Sequence, residues 1–312
     1  MKLYPLLLLP VTKSPIWGGT RLLSEWKIPA ETPTVGEAWV LSVRKEEQNR
    51  IANGEWKGKR IGEVVERFGA GETDFPLLVK LLDAKDDLSV QVHPDDAYAK
   101  RAENDRGKTE MWHILEADAG SELIMGLREG VSRADFARAV QEGRTESALN
   151  HIPVHAGETY FIPAGMPHAI GKGILLAEIQ QNCDLTYRIW DYNRLGKDGK
   201  PRELHVEKAL DVVRPFTPEE VDRLRYQSEP NADRTRVLAA CPQFRVERIA
   251  LSDQQTFSGK SGLSHLLCIN GSGTILCNGI SYPLCRGNSY LLPPETAFSI
   301  AGETTVLLSS QS

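Results

Sequence analysis

Gly157-Glu158-Thr159-Tyr160-Phe161-Ile162-Pro163-Ala164-Gly165-Met166-Pro167-His168 is the stretch whose reading decides the fold. A turn glycine opens a short run of strand formers, a proline stops it, Gly165 makes the next turn, and a histidine follows. The chain carries a second version, Gly287-Asn288-Ser289-Tyr290-Leu291-Leu292-Pro293. His168 lies eleven residues past the first glycine and Phe298 eleven past the second. Two copies of one β-unit are the simplest account. The first keeps a candidate ligand and the second has an aromatic in its place.

Outward from this stretch the chain reads mostly as short strands, at residues 76–82, 88–93, 110–115, 123–126, 159–163 and 174–181. Gly, Pro and Asp turns separate them, the pattern of a sandwich or barrel. Helical patterns are inserted at residues 61–68, 95–103, after Ser132, at 203–213 and at 218–226. Ser132 with Asp135 forms a capping-box-like start. From about Gln227 helical signals vanish, and residues 265–269, 273–277, 282–284 and 289–292 read as strands.

The 312 residues carry a formal net charge of -5, so no nucleic-acid footprint is visible. No apolar run approaches the roughly 20 residues of a membrane helix. The four leucines between Pro5 and Pro10 are too few for a signal peptide. Five cysteines, an odd number without a C-x-x-C pair, fit reduced thiols. A cytoplasmic protein without nucleic-acid or membrane partners is expected.

Residues 157–168 fit G-x5-P-x-G-x2-H, the second motif of cupin barrels, although Lys172 stands where an Asn is often found. By itself this motif also suits a buried structural histidine on a hairpin. Its partner is Gln91-Val92-His93-Pro94, in which Gln91 and His93 share one strand face. The next donor is Glu110, within Lys108-Thr109-Glu110-Met111-Trp112, beyond an insertion at residues 95–106.

These three motifs, in this order, resemble the metal motifs of type I mannose-6-phosphate isomerases, in a size resembling the short bacterial form. Ile16-Trp17-Gly18-Gly19, Gly36-Glu37-Ala38-Trp39, Pro76-Leu77-Leu78-Val79-Lys80 and the run from Glu178 to Arg188 extend the resemblance over most of residues 1–215. Thr109 and Cys183 depart from the usual Pro and Ser. The fold class implied is mainly β: two cupin (jelly-roll) β-barrels, with helical insertions in and after the first. Residues 1–226 would form the catalytic barrel with its linker and 227–312 a non-catalytic barrel.

The resemblance implies one zinc ion (Zn2+) per chain, held by Gln91, His93, Glu110 and His168. Imidazole nitrogen and carboxylate oxygen suit zinc, and a set without thiolate also suits manganese, cobalt or iron. It further implies a phosphorylated hexose substrate, mannose 6-phosphate interconverting with fructose 6-phosphate. A proton would move between C1 and C2 through an enediolate. Arg188 corresponds to the family's active-site arginine, a partner for an anionic oxygen or the phosphate. Lys80, which interrupts an apolar strand, and Lys108 are the further site cations. Read without the family, Arg188 is a surface ion pair and Lys80 an edge or snorkelling lysine. Glu178, Lys108 and a metal-bound water all stand open as the base. His113, His151, His155, His205 and His265 fall in no matching motif and read as structural or surface residues. An iron oxygenase would want a second histidine at Gln91, a sugar sensor an appended DNA-binding helix pair, and a storage protein the loss of both metal sets.

Overall fold

A computed structural model describes residues 3–68, 75–226 and 234–312. The expected boundary between 226 and 227 abuts a segment, 227–233, outside the described residues, as are Met1 and Lys2. The protein is mainly β, and no described helix is long and apolar enough to cross a membrane.

Two sheets build the N-terminal part. A seven-stranded sheet runs in the order Arg225–Tyr226, Thr159–Ile162, Glu110–Ala117, Ile174–Gln181, Leu77–Ala84, Glu37–Leu41, Val11–Lys13. A five-stranded sheet runs Tyr187–Trp190, Val90–Val92, His168–Ile170, Glu122–Leu127, Leu149–Pro153. All pairings within both are antiparallel. Leu77–Ala84 and Ile174–Gln181 are buried at every residue because both faces of their sheet are covered. Alternate residues serve different cores. Val79, Leu81, Ala177 and Ile179 pack with Val246, Leu267, Leu291 and Leu307 of the C-terminal part. Leu82, Trp112, Ile114 and Leu176 pack with Leu123, Met125 and Ile170 of the five-stranded sheet.

The insertions form helices largely where expected. Asp95 caps Asp96–Ala102 through the Tyr98 amide, and Ser132 caps Arg133–Gln141 in a box with Asp135. The helix expected over 203–213 is shorter, Val206–Val212. That expected over 218–226 ends at Arg223, because Arg225 and Tyr226 pair with Tyr160 and Thr159 and close the sheet edge.

A ten-stranded sheet includes the C-terminal strands, with the core order Thr235–Ala240, Arg245–Leu251, Thr304–Ser310, Ser264–Cys277, Ser289–Leu292, Leu6–Leu9, Arg50–Ile51. The two strands expected at 265–269 and 273–277 are one, Ser264–Cys277. Its register shifts between Cys268 and Asn270, and Gly271 takes φ +76°, so the strand bends without ending. It pairs with Ser289–Leu292 and Thr304–Ser310 before the bend, and its far end pairs with Ile280–Cys285 and Phe298–Ala301. The first strand of the chain also lies here: Leu6 pairs with Leu291 and Leu7 with Tyr290. Leu6 and Leu8 are buried in the core that both parts share, and Pro5 and Pro10, which lack the amide a ladder needs, bracket the strand.

Candidate functional site

The N-terminal sheets place two rows of side chains opposite one another. Across the seven-stranded sheet, Trp39 pairs with Lys80, Lys80 with Glu178, Glu178 with Trp112 and Trp112 with Tyr160. Directly paired residues share a face, so Lys80 and Glu178 are set among aromatic rings. Across the five-stranded sheet, Arg188 pairs with Gln91, Gln91 with His168 and His168 with Met125. His93 leaves the end of Val90–Val92, and Glu110 begins Glu110–Ala117.

Between the rows His93, Glu110 and His168 converge, with donor atoms all within 4.8 Å of one another. Glu110 Oε2 is 3.7 Å from His93 Nε2, and Oε1 is 3.4 Å from His168 Nε2. Both imidazoles are oriented from behind. His93 Nδ1 donates to the Leu185 carbonyl and His168 Nδ1 to the Met166 carbonyl, each at 2.8 Å. Each Nε2 is thereby left with its lone pair towards Glu110. Local geometry makes this placement. Gly165, at φ +88°, donates its amide to the His93 carbonyl at 2.9 Å, and a Cβ there would meet the Val212 carbonyl oxygen at 2.9 Å. The loop before His168 is thus tied to His93 at a position that suits glycine.

The electrostatics follow from burial. In the fully buried Glu110 carboxylate, Oε1 has no partner and Oε2 is met only by the Lys108 ammonium; His168 Nε2 has no hydrogen-bond partner among the described residues. Burial, only partly opposed by Lys108, pushes Glu110 up to about 7. Burial, then the Lys108 charge, holds His93 well below the ordinary imidazole value; burial brings His168 down to about 4. The Lys108 ammonium stands among the donors, 3.0 Å from Glu110 Oε2 and 3.2 Å from His93 Nε2. Burial opposes its charge, but Glu110 and Glu178 outweigh burial and raise it.

A cavity of 250 Å³ adjoins the group, with Lys80, Gln91, Lys108, Glu178, Asp184 and Arg188 in its walls. Glu178 Oε2 accepts from Trp112 Nε1 at 3.1 Å, and Oε1 is 3.4 Å from Lys80 and 4.0 Å from Lys108. Lys80 also donates to Asp184 at 3.3 Å. It is buried on an interior strand, so an edge or snorkelling lysine does not describe it. Arg188 Nε donates to Ser89 Oγ at 3.2 Å and Nη1 to the Glu203 carbonyl at 2.8 Å. Nη2 has no hydrogen bond among the described residues.

All eight residues singled out in the sequence therefore lie around one cavity or its inner group. Asp184 and Arg202, which also line it, were missed. Asp184 lay inside the matched run 178–188, where its reach to Lys80 was a readable signal; Arg202 comes from a loop with no local pattern. Of the histidines set aside, His113 is buried against Thr159, and His265 is buried against Ser289.

The N-terminal sheets hold two imidazoles and a buried carboxylate that could bind a metal ion, and residues 234–311 match the mannose-6-phosphate isomerase cupin domain, so the chain is a cupin-domain protein with a candidate metal group. Residues 6–125 match the catalytic domain of type I phosphomannose isomerase. A Bacillus subtilis protein named "Probable mannose-6-phosphate isomerase GmuF" is 36% identical over 98% of this chain and 99% of its own length. The mannose-6-phosphate isomerase of Streptococcus mutans is 42% identical over 67% of each chain. The crystal structure of the mannose 6-phosphate isomerase from Bacillus subtilis superposes with a TM-score of 0.88 at 34% identity, covering 98% of this chain and 99% of that one. The chain belongs to the type I phosphomannose isomerase family.

Proposed function

We propose that this chain interconverts mannose 6-phosphate and fructose 6-phosphate with one zinc ion held by Gln91, His93, Glu110 and His168. The observation that carries the reading is Glu110, fully buried, with Oε1 unpartnered, Oε2 met only by the Lys108 ammonium, and both oxygens facing two imidazole nitrogens. A buried carboxylate with an oxygen left unpartnered is costly, and a divalent cation among these donors would offset that cost. Imidazole and carboxylate donors fit zinc, and Gln91, the cross-strand partner of His168, is the fourth donor in this reading. When bound, the ion supplies Lewis acidity towards a sugar oxygen.

The chain's own residues account for the remaining work. The substrate lies in the 250 Å³ cavity. Arg188, with Nη2 free and Arg202 beside it, binds the phosphate or an anionic sugar oxygen. Transfer of a proton from C2 to C1, or the reverse, requires a group that accepts it as the enediolate forms and returns it to the adjacent carbon. Glu178, through Oε1, is the group placed to accept it, 4.0 Å from the Lys108 ammonium. Trp112 and Lys80 hold Glu178 in place, and both ammonium groups stabilise negative charge developing on the sugar oxygens.

The C-terminal half is read as a second cupin barrel without catalysis, because Phe298 stands at the position of His168. All five cysteines are free, in keeping with a reducing cytoplasm.

Metal analysis of the purified protein, with a coupled assay for fructose 6-phosphate, tests the reading. One zinc per chain with turnover is expected. Turnover unaffected by complete removal of metal would overturn it.

A further inference from the structure

The C-terminal half contains a cavity of 220 Å³ to which the isomerase reading gives no role. Its walls repeat the register of the first half. His168 pairs across strands with Gln91, and Phe298, its counterpart, pairs with Phe257. Glu110 lies between Ile162 and Gln180. Ser264 lies between Leu292, the counterpart of Ile162, and Ser310. The equivalence extends to the backbone, since Gly157 and Gly287 take φ +90° and +88°. Phe298, Phe257 and Ser264 thus stand where the first half has His168, Gln91 and Glu110, and all three line the cavity.

These replacements remove the imidazole and carboxylate donors but leave a shaped site. The phenyl rings stack at 5.0 Å with an interplanar angle of 18°, giving a flat apolar wall. Ser264 is 5% exposed, and its hydroxyl has no hydrogen-bond partner. Gln255 adds an amide on the strand that carries Phe257. The charged wall residues Lys260 and Glu247 face each other at 3.6 Å, and Arg245 also holds Glu247 at 2.9 Å, so neither wall charge stands without a partner. An apolar ring face beside unpaired hydroxyl and amide groups, with paired charges, matches a molecule with one C–H face, several hydroxyls and no net charge. The electron-rich ring face attracts C–H groups, and the orphaned Ser264 hydroxyl gains the partner that burial denies it.

We propose that this cavity binds a neutral hexose, one C–H face on Phe257 and its hydroxyls towards Ser264 and Gln255. The site is independent of the metal group and of isomerase turnover, so failure of the catalytic reading would leave it standing.

Saturation-transfer NMR of the full-length protein titrated with D-mannose tests it. Transfer to the sugar ring protons is expected in the wild type and in His168→Ala. Phe257→Ala is expected to weaken binding by about tenfold, the loss of one aromatic contact, with isomerase turnover unchanged. Should Phe257→Ala lose turnover through misfolding, Ser264→Ala, which removes only the hydroxyl, decides in its place. Absence of transfer in the wild type, affinity unchanged in the deciding variant, or loss of transfer in His168→Ala would overturn the proposal. Equal transfer to cyclohexanol would overturn the assignment to a sugar.

Discussion

Lys108 Nζ and Glu110 Oε2 lie 3.0 Å apart, both buried, at the point where two histidine lone pairs converge. Without a metal ion this ammonium is the positive charge nearest the carboxylate. Lys108→Met should therefore destabilise the metal-free protein by about 2–3 kcal/mol at pH 8, the cost of a buried carboxylate left unpaired and limited by its own protonation. Adding zinc should recover most of that loss. Urea unfolding with and without chelator checks it, and equal destabilisation in both conditions would contradict the arrangement.

His168→Ala should lose both metal and turnover, because one of the two lone pairs facing Glu110 disappears. Metal content should fall from one per chain to none, since the described residues outside His93, Glu110 and His168 offer no comparable group of His, Cys, Asp and Glu. Elemental analysis of the full-length variant checks both halves at once: a retained zinc ion would place the site elsewhere.

Arg188→Lys keeps the charge but cannot reproduce a guanidinium that donates to Ser89 and Glu203 while directing Nη2 to a ligand. Turnover should fall by on the order of 100-fold. Stability should change by only about 1–2 kcal/mol, the two hydrogen bonds. A fall in kcat at constant KM points to the enediolate, and a raised KM with normal kcat to the phosphate. A fully active variant would remove Arg188 from the site.

Two histidines outside the site set a pH dependence of stability. Burial, with Arg248 adding to it, lowers His113 to about 4, and burial lowers His265 to about 3. Both are neutral in the fold and bind a proton on unfolding. Their contribution is complete above the ordinary imidazole value of about 6.5 and is lost as pH falls towards those folded values. His265→Gln should flatten the slope of unfolding free energy between pH 6 and 4 by about 1.4 kcal/mol per pH unit. Parallel slopes for variant and wild type would show that His265 does not stay neutral.

The donor group was legible through the resemblance: each member sits in a short motif on or beside a strand, and the family's order of motifs implied that they meet. Spacing put Gln91 and His93 on one strand face, but the run from Gly157 to His168 read as a ligand motif only beside its partner motifs. The row from Trp39 through Lys80 and Glu178 to Trp112 was legible only in part, because its members meet through pairing between strands distant in sequence. Arg202 had no local signal. Strand Ser264–Cys277 was broken in two at Asn270-Gly271, where turn residues mark a bend. Leu6–Leu9 was read for what it could not be, too short for a leader, since its partner strand lies at the other end of the chain.

The pairing of Leu6 with Leu291 also bears on how the protein is made. The ribosome releases Leu6 285 residues before its partner, an interval of roughly 15–60 s at bacterial and eukaryotic elongation speeds. Leu6 and Leu8 throughout that time, and the outer faces of Leu77–Ala84 and Ile174–Gln181 from the moment each emerges, lack the strands that cover them. Contacts this distant form late, and exposed apolar strands associate while they wait. A nascent chain stalled before residue 289 should therefore be a preferred client of ribosome-associated chaperones, and a gene truncated there should yield aggregate rather than a free-standing catalytic half.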